Sequence, residues 1–368
     1  MGITLVVFLV YLFFNRKLID ETSRYLYPFL CMCLLELFFI FLSEGLAIIN
    51  MYSCIAGYVP VVLAFFAVTL NKKETKSTVI LLCVLYLITA VTSIVVLLTD
   101  VNASRYLATG SKDAYADYLN IRNVGGYTAV YSSVLLLPLL IFLYKRKIFN
   151  RFTLLVVVLA LCVFIIEASF MYAILLGTIA MCTIFYSKDA TEKKGVGYIL
   201  VFLIALLLLS NIFSQIFMYL SETAESISMS EKFKSLALIF AGQELEGADA
   251  IGRMELYEYS WNQFLKNPLI GNFYKGGQIG GHSYILDTLA KYGIVGLGLL
   301  VWCYVAIYNF TIKPYKHCKG IAYFVAVYIL AILISLINTS NWIHVLLLYN
   351  TLISRMGFLN DSERRSVL

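Results

Sequence analysis

The sequence predicts an all-α fold: a polytopic helical membrane protein of about eleven transmembrane helices with one large extracytoplasmic loop. Hydrophobic residues make up 61% of the 368 residues and charged residues only 14%, a balance far from that of soluble domains. The mean hydropathy is +0.84. Apolar runs long enough to cross ~30 Å of hydrocarbon recur along the chain, separated by short loops with Lys and Arg. We therefore expect residues 1–368 to form a single integral membrane domain.

The predicted spans follow these apolar runs in order. They cover residues 3–14, 25–43, 46–70, 78–99, 123–144, 152–166, 169–186, 195–219, 294–312, 321–338 and 341–355. The run at 3–14 is short for a full crossing, so a re-entrant or interfacial segment followed by ten spans stays open as the alternative. Two connections, 100–122 and 220–293, are much longer than the others.

The basic residues predict the orientation of the spans. One set of loops holds 19 of the 28 Lys and Arg residues, and these loops are 15–24, 71–77, 145–151, 187–194, 313–320 and the C-terminal 354–368. Because cytoplasmic loops carry an excess of Lys and Arg, this side is predicted to face the cytoplasm, with the N-terminus outside. The two long loops then face outward. The loop 220–293, too long for a structureless connection, is expected to carry the functional site.

The acidic residues argue against two other chemistries. Glu36 is the carboxyl placed well inside a predicted span, and a role in packing or pairing helices is preferred over the proton relay of a transporter. In the first long loop, Asp100, Asp113 and Asp117 form no Asp-x-Asp pair and have no His or Cys companion. They are interpreted as solvated loop acids rather than metal ligands, so neither a metal nor another cofactor is expected.

A helix is predicted in the long outer loop from Asp249 onward. Its apolar residues recur at three- and four-residue spacing on one face: Met254, Tyr257, Trp261, Phe264 and Leu265. The opposite face carries Glu255, Asn262 and Lys266. This pattern indicates an amphipathic helix that lies on the membrane or on the helical bundle. Asn267 and Pro268 are expected to end it.

A motif with a lone histidine follows that helix. Residues 280–296 read GGHSYILDTLAKYGIVG, with His282 just before a predicted helix, Ser283 as its N-cap and Asp287 in its first turn. The exposed backbone amides and the positive end of such a helix would favour an anion there. The preceding glycine-rich stretch 271–281 lacks the end of a phosphate-binding P-loop. It is therefore interpreted as a flexible turn, with Lys275 adding positive charge.

This motif resembles the signature of the O-antigen polymerase and ligase superfamily, roughly His-Asn/Ser-x-x-Leu-x-x-Leu-Ala-x-x-Gly-x-x-Gly. The segment before it is similar to the corresponding family segment at Arg253, Trp261, Pro268 and Gly271. A weaker similarity starts at Arg122, which is followed by Gly125 and Gly126. Two places depart from the family: residues 166–171 lack an Arg that ligases and many polymerases carry, and Lys291 stands where Glu is usual.

The resemblance implies a Wzy-type repeat-unit polymerase for O-antigen or capsular polysaccharide, a metal-independent glycosyltransferase similar to the GT-C class. Such an enzyme transfers the growing glycan from undecaprenyl diphosphate to a sugar hydroxyl of the next lipid-linked repeat unit, at the outer face of the bacterial inner membrane. The implied catalytic residues are His282, as base or orienter of the hydroxyl, and Arg253, on the leaving diphosphate. The implied substrate-binding residues are Arg122, Tyr257, Lys275 and Ser283.

The implied partners are the lipid-linked glycan donor and acceptor, the lipid bilayer, a chain-length regulator and a flippase, with no nucleic acid. Several alternatives stay open. Arg122 could snorkel to lipid head groups, and Arg253 could be a surface arginine paired with a Glu. The chain could be a ligase that hands finished glycan to a lipid A-core or the cell wall, although the missing Arg weakens that hypothesis. It could also be a non-enzymatic lipid or sugar transporter.

Overall fold

The computed structural model describes residues 16–44, 48–99, 124–147, 150–168, 210–224, 248–272, 279–318, 320–338 and 342–358, together with isolated residues between 230 and 241. All regular secondary structure in these ranges is helical, in agreement with the predicted all-α class. The predicted spans 3–14 and 169–186, and most of 195–219, lie outside the described residues.

The helices follow one another as α1 (Arg16–Glu44), α2 (Ile48–Gly57), α3 (Val59–Ala67), α4 (Lys72–Thr99), α5 (Tyr127–Lys145), α6 (Arg151–Glu167), α7 (Ser210–Thr223), α8 (Ala248–Lys266), α9 (Tyr284–Ile307), α10 (Ile321–Ile337) and α11 (Trp342–Phe358). A π-helical turn (Tyr308–Ile312) and a 3-10 turn (Lys313–Tyr315) continue α9. Within the described ranges, five stretches are long and apolar enough to cross a membrane: Arg24–Ser43, Asn50–Ala67, Lys72–Thr99, Thr128–Lys145 and Tyr284–Tyr315. The helix Ile321–Ile337 is apolar but shorter.

Local sequence explains where several helices begin. At the start of α4, the Asn71 side chain accepts a hydrogen bond from the Glu74 amide at 3.0 Å, and the Glu74 carboxylate accepts one from the Asn71 amide at 2.8 Å. This reciprocal pair satisfies two amides that the first helical turn leaves unbonded. The predicted span 46–70 is interrupted at Tyr58, between α2 and α3. Pro60, in the first turn of α3, suits a helix start because it has no amide hydrogen to lose.

The chain divides into two compact units. The first comprises residues 1–75, 252–316 and 331–368, and the second comprises residues 76–251 and 317–330. Within the first unit, α9 packs against α1, and α11 packs against α3. Within the second, α5 packs against α6, and the Gly125 amide donates to Ser93 Oγ at 2.7 Å. The motif around His282 and nearly all of α8 belong to the first unit.

Helix α9 is two helical segments joined by a kink at Gly293, whose φ of 63° and ψ of −156° are not helical. The second segment and the π-helical turn correspond to the predicted span 294–312. The first segment, residues 284–292, carries most of the motif. The predicted helix start after His282 is therefore correct, but the helix does not run straight from the motif into the span.

Candidate active site

The kink in α9 is filled by the turn that ends α8. A straight helix would pair the Ile294 amide with the Ala290 carbonyl, and the kink separates these two groups. The turn supplies a partner to each: the Asn272 amide donates to the Ala290 carbonyl at 2.9 Å, and the Ile294 amide donates to the Pro268 carbonyl at 2.8 Å. The turn and the kink therefore form one hydrogen-bonded unit.

Two glycines of the motif region allow this close approach. Gly271 has a φ of +74°, and a Cβ there would lie 2.2 Å from the carbonyl of Lys291. Gly293 has a φ of +63°, and a Cβ there would lie 2.4 Å from the carbonyl of Leu269. Both positions exclude other residues by conformation and by space. These glycines hold the two backbones together, and their role is structural.

A buried polar cluster makes a second connection between α8 and α9. Ser260 of α8 donates from its hydroxyl to Asp287 Oδ1 of α9 at 2.7 Å. The same hydroxyl accepts from the Gly280 amide at 2.9 Å, and Asp287 Oδ1 accepts from the Gly281 amide at 3.2 Å. Residues 280 and 281 are therefore fixed to both helices. This corrects the prediction of a flexible turn at its described end; residues 273–278, including Lys275, lie outside the described residues.

Three amides at the start of α9 have protein partners. Ser283 is the predicted N-cap: its hydroxyl accepts from the Leu286 amide at 3.3 Å and its carbonyl accepts from the Asp287 amide at 2.8 Å. The Tyr284 amide donates to the Asn338 carbonyl at 2.8 Å. These three amides are therefore not free to receive an anion. Ser283 is only 1% exposed and caps the helix, and its role in binding substrate stays a prediction.

His282 occupies the bend between these fixed elements. It follows Gly281, whose φ is +77°, and precedes the buried Ser283. The residue is half-buried, so part of its surface stays accessible. An imidazole placed in this way can accept or donate a proton at a bound ligand, and the cluster on both sides limits its movement.

Helix α8 confirms the predicted helix and its end at Asn267, but its buried face differs from the prediction. The residues turned inward are polar, since Ser260 and Gln263 are 1% and 9% exposed. Of the predicted apolar face, Trp261 and Leu265 are exposed, at 45% and 56%. Tyr257 and Phe264 of the same predicted face are half-buried, and the predicted polar residues Glu255, Asn262 and Lys266 are exposed as expected. The buried Ser260, which the prediction assigned to neither face, belongs to the cluster around Asp287.

The other predicted site residues are Tyr257, Arg253 and Arg122. Tyr257 is half-buried in the middle of α8. Arg253 belongs to the same helix, and its side chain lies outside the described residues, as does all of Arg122. His282, Ser283 and Tyr257 belong to the same compact unit, and the roles of Tyr257 and the two arginines stay predictions.

Glu36 of α1 has polar side chains around it, and the sequence did not predict which ones. Cys54 of α2 donates from its thiol to the Glu36 carboxylate at 3.4 Å. The hydroxyls of Tyr58 and Tyr284 face the same carboxylate, and the Lys291 ammonium is close enough to act on it electrostatically. The contact with Cys54 agrees with the predicted role in pairing helices. The sequence showed that Glu36 is a carboxyl within an apolar run and therefore needs polar neighbours. It did not show that two of these neighbours, Tyr284 and Lys291, lie on α9.

An apolar groove lies beside the kink, within the first unit. It has a volume of about 270 Å³, slightly below the range of about 300–1,000 Å³ found for pockets that enclose whole small molecules. Its walls come from α1, from the turn after α8 and from both sides of Gly293, and they are Leu35, Phe38, Phe39, Leu42, Ile270, Tyr292 and Val295. Such a groove suits one stretch of a hydrocarbon chain.

No model of a known protein family matches the chain, and no curated protein matches it either. The site is therefore interpreted from its own residues. In the described ranges, no group of three or more His, Cys, Asp and Glu side chains is arranged to hold a metal ion.

The cluster around Asp287 makes the first testable prediction. Asp287→Ala would leave the Ser260 hydroxyl and the Gly281 amide without their acceptor in a buried place, at a cost of roughly 2 kcal/mol or more in the free energy of unfolding. We expect a clear fall in the thermal stability of the purified protein. Glu258→Ala, an exposed change on the same helix α8, is the control and should have little effect. Equal stability of the two variants would contradict the assigned role.

Proposed function

We propose that this chain is an integral membrane glycosyltransferase that polymerises undecaprenyl diphosphate-linked oligosaccharide repeat units into O-antigen or capsular polysaccharide. In this proposal the chain spans the bacterial inner membrane, with its C-terminus in the cytoplasm and the site facing outward. The support is the resemblance of residues 253–296 to the polymerase and ligase superfamily, together with helices long and apolar enough to cross a membrane.

One observation carries the proposal most. The glycines and buried polar residues around His282 have structural tasks, since they join α8 to α9 and cap α9. His282 lies between the residues of this frame and is half-buried, so part of the residue is accessible. A rigid frame around one partly accessible imidazole is the arrangement expected of a catalytic or orienting residue.

In the proposed reaction, the acceptor sugar hydroxyl attacks the anomeric carbon of the donor glycan. A new glycosidic C–O bond forms, the C–O bond to the diphosphate breaks, and the hydroxyl proton passes to His282 acting as base. The diphosphate leaves on its lipid carrier, with its charge held by Arg253 and Arg122. The apolar groove beside the kink would suit part of the carrier chain.

The direct test supplies purified full-length protein in nanodiscs with the undecaprenyl diphosphate-linked repeat unit isolated from cells that make it. We expect a ladder of products of increasing length, and we expect the ladder to persist in EDTA because arginines carry the diphosphate in this proposal. A wild-type protein that yields no ladder would overturn the polymerase proposal. A ladder that forms only with added divalent cations would overturn the metal-independent mechanism.

Arg253→Lys tests the diphosphate clamp. A Lys ammonium carries the charge but lacks the planar fork that makes two parallel hydrogen bonds to a phosphate, so we expect a markedly lower rate of ladder formation. Lys266→Arg, an exposed change further along α8, serves as the control for a Lys–Arg exchange in that helix. Full activity of Arg253→Lys would assign Arg253 to the surface, as the alternative states.

A further inference from the structure

The turn after α8, residues 267–272, carries an exposed apolar surface. Pro268, Leu269 and Ile270 are all exposed, with Leu269 at 69% and Ile270 at 47%. No residue of the turn is charged. Large apolar side chains that lie together on a surface mark a contact with a partner or with a membrane.

Hydrogen bonds fix this turn beside a helix that is able to cross a membrane. The Ile294 amide donates to the Pro268 carbonyl at 2.8 Å, and the Val295 amide donates to the Leu269 carbonyl at 3.3 Å. Ile294 and Val295 are themselves exposed, and they lie within Tyr284–Tyr315, a stretch long and apolar enough to span a bilayer. The turn therefore lies at the level of two exposed residues of a candidate span.

A second candidate span marks the same level. Ile270 and Val295 line the apolar groove together with Phe38 and Leu42, which belong to the last turns of the stretch Arg24–Ser43. Phe38 and Leu42 are exposed as well. The exposed side chains of α1, of the turn and of α9 thus meet around one groove, and hydrocarbon that covers the two spans would also reach the turn.

The backbone of the turn is bonded as a place inside a lipid leaflet requires. Lipid offers no hydrogen bonds, so non-helical backbone is tolerated there only where the protein covers and pairs it. The carbonyls of Asn267, Pro268 and Leu269 all accept from protein amides, and Pro268 has no amide hydrogen. The Gly271 and Asn272 amides donate to protein carbonyls, and both residues are buried. The turn therefore exposes apolar side chains and keeps these backbone groups on the protein side.

The end of α8 suits the boundary between hydrocarbon and lipid head groups. Trp261 and Leu265 are exposed, and the exposed Lys266 directly precedes the turn. A Trp ring favours this boundary, and a Lys can lay its stem along apolar surface while its ammonium reaches the head groups. Helix α8 thus carries residues typical of the boundary at the place where the chain enters the turn.

We propose that the turn after α8 is inserted into the membrane leaflet on the side of His282, where lipid acyl chains cover Leu269 and Ile270. This inference rests on the membrane-spanning part of the proposed function. The turn fills the kink at Gly293, so lipid that holds the turn also supports the frame of His282. The site is thereby attached to the bilayer surface as well as to α8 and α9.

Photolabelling of the unaltered full-length protein in nanodiscs tests the inference directly. The probe is a phospholipid with a diazirine on its acyl chain, which after illumination reacts with side chains inside the hydrocarbon. We expect mass spectrometry to find the label on Leu269 and Ile270, as on Leu34, which is 65% exposed within the α1 span. The exposed Glu258 in the middle of α8 should carry little label.

The outcomes of the labelling separate the inference from the proposal on which it rests. Label on Leu34 without label on the turn would overturn the inference, and two copies in each such nanodisc would assign the surface to a second copy of the chain. Label at neither place would overturn the membrane-spanning part of the proposed function, and the inference with it.

Leu269→Asp gives a second, independent measurement. A carboxylate is costly among acyl chains, whereas the same change on a surface in water is nearly neutral. We therefore expect the thermal midpoint of Leu269→Asp in nanodiscs to fall clearly. Tyr259→Asp is the matched control, because Tyr259 is 39% exposed but lies on a different side of α8 from Trp261 and Leu265, and its midpoint should change little. Equal midpoints of the two variants would contradict the insertion of the turn.

Discussion

His282→Ala is expected to leave the protein abundant and inserted but to stop chain elongation, so that single repeat units accumulate. The hydrogen bonds that build the frame run through Ser260, Asp287 and Ser283, and none of these bonds uses the imidazole. Removing the imidazole leaves these bonds in place while it removes proton transfer or orientation, worth about 10²–10⁴-fold in rate. The glycan ladder made by cells and the amount of membrane-bound protein are the two measurements.

Two further variants sharpen this expectation. His317→Ala changes an exposed histidine in the turn after α9 and should leave the ladder normal. His282→Gln keeps a side chain that hydrogen-bonds but does not titrate in the physiological range. Loss of elongation in His282→Gln would favour a base, and partial activity would favour an orienting role. A normal ladder of long glycans from His282→Ala would remove His282 from the proposed chemistry.

Local signals in the sequence were sufficient for much of the fold. Apolar runs predicted the helical class, and the start of α8 near Asp249, its end at Asn267 and the Ser283 cap of α9 were all readable from neighbouring residues. Each of these features depends on side chains within a few positions of one another, such as a hydroxyl that bonds an amide three residues later. Periodicity and capping rules describe interactions between residues that are only a few positions apart in the sequence.

The parts that could not be predicted depend on residues far apart in the chain. Ser260 bonds Asp287, and Glu36 faces Tyr284, across separations that no periodic pattern spans. Ser260 of α8 is buried because Asp287 of α9 offers its hydroxyl a hydrogen bond, whereas hydropathy alone favours burial of apolar residues such as Trp261, which is exposed. The break at Tyr58 has a local signal, Pro60 in the first turn of α3, within a run that composition makes continuous.

Gly293→Ala is expected to be the most destabilising single change in the motif. The backbone at Gly293, with a φ of 63° and a ψ of −156°, lies in a region populated almost only by glycine, and an L-residue there costs about 1–3 kcal/mol. A Cβ would also lie 2.4 Å from the carbonyl of Leu269, which is backbone and cannot turn aside. We therefore expect the turn after α8 to separate from α9, with a total loss of roughly 3 kcal/mol or more and with the loss of elongation that follows when the frame of His282 opens.

Gly298→Ala is the matched change in the second segment of the same helix, and it should have the opposite sign. A Cβ at Gly298 meets no atom within 4 Å, and its backbone is helical, so alanine should stabilise the helix by up to about 1 kcal/mol. Thermal unfolding of the two purified variants against the wild-type protein measures both effects, and the ladder assay shows whether elongation follows stability. If Gly293→Ala proved as stable as Gly298→Ala, the kink and its contact with Leu269 would not be features of the folded protein, and the position of His282 between α8 and α9 would need a different explanation.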